Sequence, residues 1–156
     1  MLKKILAHKV DEVRRRQMQV PRATFTPRSG GVRDFQTALK KPGISIIAEV
    51  KRRSPSGGNI RRNLDPGELA RDYEQAGATA ISVLTDETYF GGSLEDLEKV
   101  RAEVSLPVLR KDFIINEYQV HESFHAGADA ILLIADALTD ETLHRLEQTA
   151  RSLELH

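Results

Sequence analysis

Apolar and polar positions along this chain alternate between two periods, and the switches between them outline its elements. Leu2, Leu6, Val10 and Val13 recur at helical spacing, and Arg14, Arg15 and Arg16 follow where a helix macrodipole favours cations. Residues 2–18 are therefore predicted to form an amphipathic helix. Val20–Gly31 is rich in Pro, Thr and Gly and predicts a loop, and Phe35–Lys40 predicts a short helix before Pro42-Gly43. From about Ile44 a strand begins. Its stretch Ile46–Val50, apolar but for Glu49, has the pattern of a strand buried on both faces.

Three further strand–helix alternations follow. Asp65-Pro-Gly-Glu68 supplies an N-cap, a proline at the first helical position and an acid in the first turn. That helix shows Leu69, Tyr73 and Ala76 on one face and stops at Gly77. Ala78–Leu84 reads as the second strand and Thr85–Gly92 as a loop. Ser93 caps a helix carrying Leu94, Leu97, Val100 and Val104. Pro107–Lys111 is the third strand, Asn116 caps a helix through Phe124, and Ala128–Ile134 is the fourth strand. A last helix begins at Thr139, with Leu143, Leu146, Ala150 and Leu153 on its buried stripe.

Strict alternation with short connections predicts an α/β fold with a parallel sheet and helices outside. An internal echo sharpens this. Ala76-Gly-Ala-Thr-Ala-Ile-Ser-Val-Leu84 matches Ala126-Gly-Ala-Asp-Ala-Ile-Leu-Leu-Ile134 at an offset of 50 residues, two strand–helix units apart. Such a repeat suits a (β/α)8 TIM-barrel fold, whose interior layers draw on alternate strands. A doubly wound sheet would carry Gly-x-Gly-x-x-Gly after its first strand, and the sequence has none. The expected organisation is a helical extension over residues 1–42 and the first half of a barrel over residues 43–156. A complete barrel takes about 250 residues, so four units read as an amino-terminal piece of a longer protein. Two unpaired edges and an uncovered inner face should make it self-associate or fold only marginally.

Composition narrows the choice of partners. Lys plus Arg equals Asp plus Glu at 23 each, so no global field favours nucleic acid or a membrane surface. No cysteine is present, which excludes disulfides and thiolate metal sites and suits a cytoplasmic protein. No apolar run approaches the roughly 20 residues of a membrane span, and His8, Lys9, Asp11 and Glu12 break any signal-like apolar run after Met1. The basic runs Arg14–Arg16, Lys51–Arg53 and Arg61-Arg62 read as solvated helix ends and loops.

Candidate chemistry sits at strand ends. Glu49 and Lys51 lie two residues apart and so face the same way, and Ser-Pro-Ser-Gly-Gly58 follows as a flexible, phosphate-tolerant loop. Lys111 shares its face with Leu109 on the third strand. Since the first and third strands are both odd-numbered, Lys51 and Lys111 are expected to project into one mouth. Two lysines and one carboxylate there suit an acidic substrate. A lysine beside another cation and partly desolvated is a usable proton donor near neutrality. Phe90, Phe113 and Leu132 would add apolar walls. His121-Glu-Ser-Phe-His125 spells a His-Glu-x-x-His zinc motif, but on an outer-ring helix with no metzincin continuation, so no metal site is assigned to it.

Ile47-Ala-Glu-Val-Lys-Arg-Arg-Ser-Pro-Ser56, with Ile60 beyond it, resembles the indole-3-glycerol-phosphate synthase signature. Leu84-Thr-Asp-Glu-Thr-Tyr-Phe-Gly-Gly-Ser93, Leu109-Arg-Lys-Asp-Phe-Ile-Ile115 and Gly127-Ala-Asp-Ala-Ile-Leu-Leu-Ile134 resemble that family's following segments, in order. The resemblance covers nearly the whole chain. It implies a decarboxylating ring closure of 1-(2-carboxyphenylamino)-1-deoxyribulose 5-phosphate to indole-3-glycerol phosphate in tryptophan biosynthesis, with no metal or organic cofactor. By similarity Lys111 is the general acid, Lys51 pairs with the substrate carboxylate and Glu49 orients the lysines. Ser54 and Pro55 would line the loop over the substrate, with Phe90, Phe113 and Leu132 around its aromatic ring. The family's strand-five glutamate, strand-six asparagine and phosphate-gripping loops correspond to positions beyond His156. Two other readings stay open: a half-barrel assembly module without catalysis, and another sugar-phosphate barrel such as phosphoribosylanthranilate isomerase, which would want a cysteine.

Overall fold

A computed structural model describes residues 1–60 and 63–156. Helix α1 (Leu2–Gln19) comes first, followed by a 3-10 turn at Arg22–Thr24 and by α2 (Phe35–Leu39), whose N-cap Asp34 accepts from the Thr37 amide. Four parallel strands then stand side by side in the order β1 (Ile47–Val50), β4 (Ala80–Leu84), β5 (Val108–Lys111), β6 (Ala130–Ile131). Between β1 and β4 lie an antiparallel ribbon, β2 (Arg53–Ser54) with β3 (Gly58–Asn59), and then α3 (Pro66–Gln75). The one-turn helix α4 (Glu87–Phe90) and α5 (Leu94–Glu103) link β4 to β5, α6 (Glu117–His125) links β5 to β6, and α7 (Asp140–Ser152) follows.

The predicted caps form. Side chains of Asp65, Ser93, Asn116 and Thr139 each accept a backbone N–H from the first turn of their helices. The sequence echo is also a structural one. Gly77 and Gly127 take φ of +93° and +94°, and the amides of Ala78 and Ala128 reach back 2.9 Å to Tyr73 O and Ser123 O, closing the same helix-ending motif twice. Thr79 Oγ1 then accepts the Ile46 amide at 3.2 Å, as Asp129 Oδ2 accepts the Val108 amide at 2.9 Å. Each copy uses its variable residue to tie down the start of the preceding strand.

One face of the sheet, with Val50, Ile81, Val83 and Val108, packs on Ala70, Leu97 and Val100 of α3 and α5. A second cluster joins Ile114 and Val120 to Leu146, Ala150 and Leu155. Residues 28–33 strap across the amino-terminal end of the sheet through the fully buried Asp129. Its carboxylate accepts from Arg28 (2.8 Å), the Arg33 amide (2.8 Å) and Arg101 (2.6 Å).

Several expectations are corrected. β1 is not buried on both faces: it starts at Ile47 rather than about Ile44, among the described residues it pairs with β4 alone, and Ile44, Ile46 and Ile47 are 94%, 57% and 42% exposed. β6 is shorter than Ala128–Ile134: among the described residues its outer edge is met by His156, whose amide donates to Asp129 O and whose carbonyl accepts from the Ile131 amide, both at 3.0 Å. Thr85–Gly92 contains α4, and the segment after Glu49-Val-Lys51 is an ordered ribbon rather than a plain loop. The inner face is not bare either, since Ala80, Ser82 and Leu84 of β4 are all buried and α2 rests against that strand. Helix α1 is turned from its expected stripe. It buries Ile5, Lys9 and Val13 and leaves Val10 45% exposed, because three carboxylates draw Lys9 inward.

Candidate active site

In a parallel sheet, residues paired across strands share a face. Glu49, Ser82, Leu109 and Ala130 form one such row on the face opposite the helices. Lys111, two residues beyond Leu109, faces the same way, as does Lys51 beyond Glu49. The outcome is a single bridged group: Glu49 Oε1 lies 2.9 Å from Lys51 Nζ and Glu49 Oε2 lies 2.6 Å from Lys111 Nζ. Each carboxylate oxygen thus holds a different lysine, and the trio carries one net positive charge.

Burial pushes the Glu49 carboxyl up, but hydrogen bonds and charge from Lys111 and Lys51 outweigh it and hold the group below the ordinary glutamate value. The side chains of Glu49, Lys51 and Lys111 remain 27%, 32% and 41% exposed. Ion pairs this wet contribute about 0–1 kcal/mol each. A guest carboxylate can therefore compete for either ammonium at small cost, while Glu49 keeps the two amines converged in its absence.

The apolar candidates divide. Phe90 on α4 and Phe113 after β5 pair with ring centroids 6.3 Å apart and planes at 39°. Leu132 is half-buried just beyond β6, two residues past Ala130 of the Glu49 row. Ser54 and Pro55 belong to the ribbon, where Ser54 Oγ accepts the Gly57 amide at 3.0 Å and Pro55 is exposed. That ribbon is anchored sideways: Arg53 donates to Glu87 O and Thr88 O at 3.0 and 2.6 Å, and Arg52 clasps both oxygens of Asp96 at 2.8 and 3.1 Å. The remaining basic runs divide likewise: Arg16 pairs with Glu122 at 2.9 Å, and Arg61-Arg62 lie outside the described residues.

The sequence reading missed the layer beneath the lysines. Asp112, Arg110, Asp86 and Lys9 are all buried there. The available signal was a charged pair flanking Lys111 and a lysine four residues from both Ile5 and Val13. Ser82 was missed too; its hydroxyl is buried in the Glu49 row without a hydrogen-bond partner. In the His-Glu-x-x-His stretch Glu122 points inward to Arg110 at 2.9 Å and His125 Nδ1 faces Thr26 O at 2.8 Å. Among the described residues no group of three or more potential ligands could hold a metal ion. Among the same residues no helix is long and apolar enough to cross a membrane.

The family model for indole-3-glycerol phosphate synthase matches residues 2–156. The chain belongs to that family. A curated indole-3-glycerol phosphate synthase from Nocardioides sp. is 56% identical over 123 residues, covering 79% of this chain and 47% of the relative. One from Mycolicibacterium gilvum is 55% identical over 120 residues, covering 77% and 44%. The chain thus spans about half the length of the curated synthases it matches. Among solved structures, a mandelate oxidase with (S)-mandelic acid aligns with a TM-score of 0.51 at 18% identity, over 71% of this chain and 41% of that one. At that identity the likeness concerns the fold alone, and it supports part of a TIM-type barrel.

Proposed function

We propose that this chain supplies the first half of an indole-3-glycerol phosphate synthase site, acting on 1-(2-carboxyphenylamino)-1-deoxyribulose 5-phosphate. The carrying observation is the Lys51–Glu49–Lys111 bridge on one face of the sheet. Lys51 takes the substrate carboxylate. The ring carbon that bears this carboxylate attacks the ribulose carbonyl carbon, and Lys111 delivers a proton to the carbonyl oxygen. Carbon dioxide then leaves, its bonding pair restores the aromatic ring, and loss of water completes the indole. Glu49 orients both lysines. Phe90, Phe113 and Leu132 flank the ring, and Ser54 and Pro55 close over it on the ribbon.

In this reading residues 1–42 are an extension packed on a half barrel formed by residues 43–156, the setting is cytoplasmic, and the guest is a small anionic sugar phosphate. The exposed isoleucines of the β1 edge support association with a second copy or with a complementary half. The test mixes this chain with a carboxyl-terminal half taken from the Nocardioides synthase. Alone, the chain should give no useful turnover; the mixture should turn over, and Lys111→Ala should lower its rate by about 10²–10⁴-fold with secondary structure unchanged. A rate within a few-fold of the unmodified mixture would reassign the acid.

A further inference from the structure

The reaction outlined above has no use for Lys9, yet its ammonium is fully removed from solvent on the buried stripe of α1. Its Nζ lies 2.8 Å from Asp86 Oδ2, 3.0 Å from Asp112 Oδ1 and 2.9 Å from Glu12 Oε1. A buried ammonium persists only where carboxylates converge on it. Two of these three stand just past the ends of neighbouring strands: Asp86 two residues beyond Leu84, and Asp112 next to Lys111.

Both aspartates hold pieces of the site. Asp86 Oδ1 accepts the Tyr89 amide at 2.7 Å and so caps the turn that carries Phe90. Asp112 Oδ1 accepts the Phe113 amide at 2.8 Å, while its Oδ2 accepts from Thr85 Oγ1 at 2.7 Å and Arg110 at 3.0 Å. Arg110 continues to Glu122 of α6, and Glu122 returns to Arg16 of α1 at 2.9 Å. Thr85 already ties the two strand ends together through Asp112, and Lys9 adds the link that brings Asp86, and with it the α4 turn, onto Asp112.

We propose that Lys9 is a positioning residue: by bridging Asp86 and Asp112 it fixes the turns bearing Phe90 and Phe113 and the strand end bearing Lys111, so that α1 sets the spacing of the anion-binding face. The identity of the guest rests on the reading above; the positioning is read from the Lys111–Glu49 contact itself. The charged and titratable groups around Lys9 are Glu12 and His8 of α1, Asp86, Asp112 and Arg110, with Glu122 and Arg16 behind. Glu49 is faced by Lys51, by Lys111 and by the Tyr73 hydroxyl, which donates to its carbonyl.

The experiment follows the Glu49 carboxyl carbon by NMR pH titration in the 156-residue chain. In the unmodified chain Glu49 titrates below the ordinary glutamate range. In Lys9→Met it moves back up toward the ordinary glutamate value as the Lys111 contact loosens. Lys9→Met/Asp86→Asn, which removes one charge of each sign and keeps an oxygen for the cap, shows the same upward move with helix content retained. An unchanged Glu49 titration in a folded variant overturns the proposal, and so does loss of folding in both, which would make Lys9 purely structural. Adding 1-(2-carboxyphenylamino)-1-deoxyribulose 5-phosphate to the unmodified chain separates the two readings. If the lysine signals ignore it, the assignment of the guest fails while the Glu49 titration still decides the role of Lys9.

Discussion

At the scale of single residues, the molecule keeps its charges in two settings. On the open face, Glu49 shares two half-exposed lysines, and that trio was legible in sequence because strand alternation and strand number fix which way a side chain points. Beneath it, Asp112 sits between Arg110 and Lys9. Burial pushes its carboxyl up, but Arg110 and Lys9 outweigh that and hold it far below the usual carboxylate range. For Lys9, burial lowers the pKa, and Asp112 with Asp86 more than reverses this, so the net shift is upward. The pairing of Lys9 with Asp112 was not legible, because the two are over a hundred positions apart. The signs give a pH profile. Asp112 has a folded pKa below its unfolded one, so its stabilisation is complete above about pH 4 and is lost as pH falls below it. Lys9 contributes below its unfolded value near 10.4 and loses its share as pH rises past it. Urea midpoints measured from pH 2 to pH 7 should fall below about pH 4; a flat profile would contradict the Asp112 assignment.

At the scale of elements, helix boundaries were read well because capping is local chemistry. Asp65, Ser93, Asn116 and Thr139 cap where their sequence context predicted. Strand limits were read poorly, because a strand's length depends on its neighbour: Ile44 and Ile46 have strand-like side chains but stay outside the ladder, and β6 ends where its partner residues run out. The helix α1 was found, but its buried stripe was not. Apolar periodicity ranks a lysine as solvent-facing, and only tertiary carboxylates reverse that. Asp129 shows the same effect at the other end of the sheet. It anchors the strap of residues 28–33, and burial with neighbouring Arg33 and Arg28 outweighs its own pull to bring the Arg101 guanidinium down to about 10. Asp129→Ala should cost about 3–5 kcal/mol, since it leaves Arg28 and Arg101 without their buried counter-ion. A chemical-denaturation loss under 1 kcal/mol would show that the strap is not held this way.

At the scale of the whole molecule, four parallel strands and their helices make part of a barrel with the Glu49–Lys51–Lys111 group on one face. The fold class was legible from alternation and from the repeat at 76–84 and 126–134, whose two copies end their helices and start their strands alike. Four units alone predicted unpaired edges, but not which side chains would line them: Ile46 and Ile47 read as core, whereas among the described residues β1 pairs with β4 alone and both isoleucines are exposed. That edge makes association testable: sedimentation should show concentration-dependent self-association that Ile46→Lys with Ile47→Lys weakens, and a concentration-independent monomer would count against it. The central claim concerns the face itself, where two lysines from non-adjacent segments serve one anion. Lysine-selective NMR during titration with 1-(2-carboxyphenylamino)-1-deoxyribulose 5-phosphate tests it most directly. The Lys51 and Lys111 signals should shift together along one saturation curve; movement of only one of them, or two separate curves, would contradict the shared site.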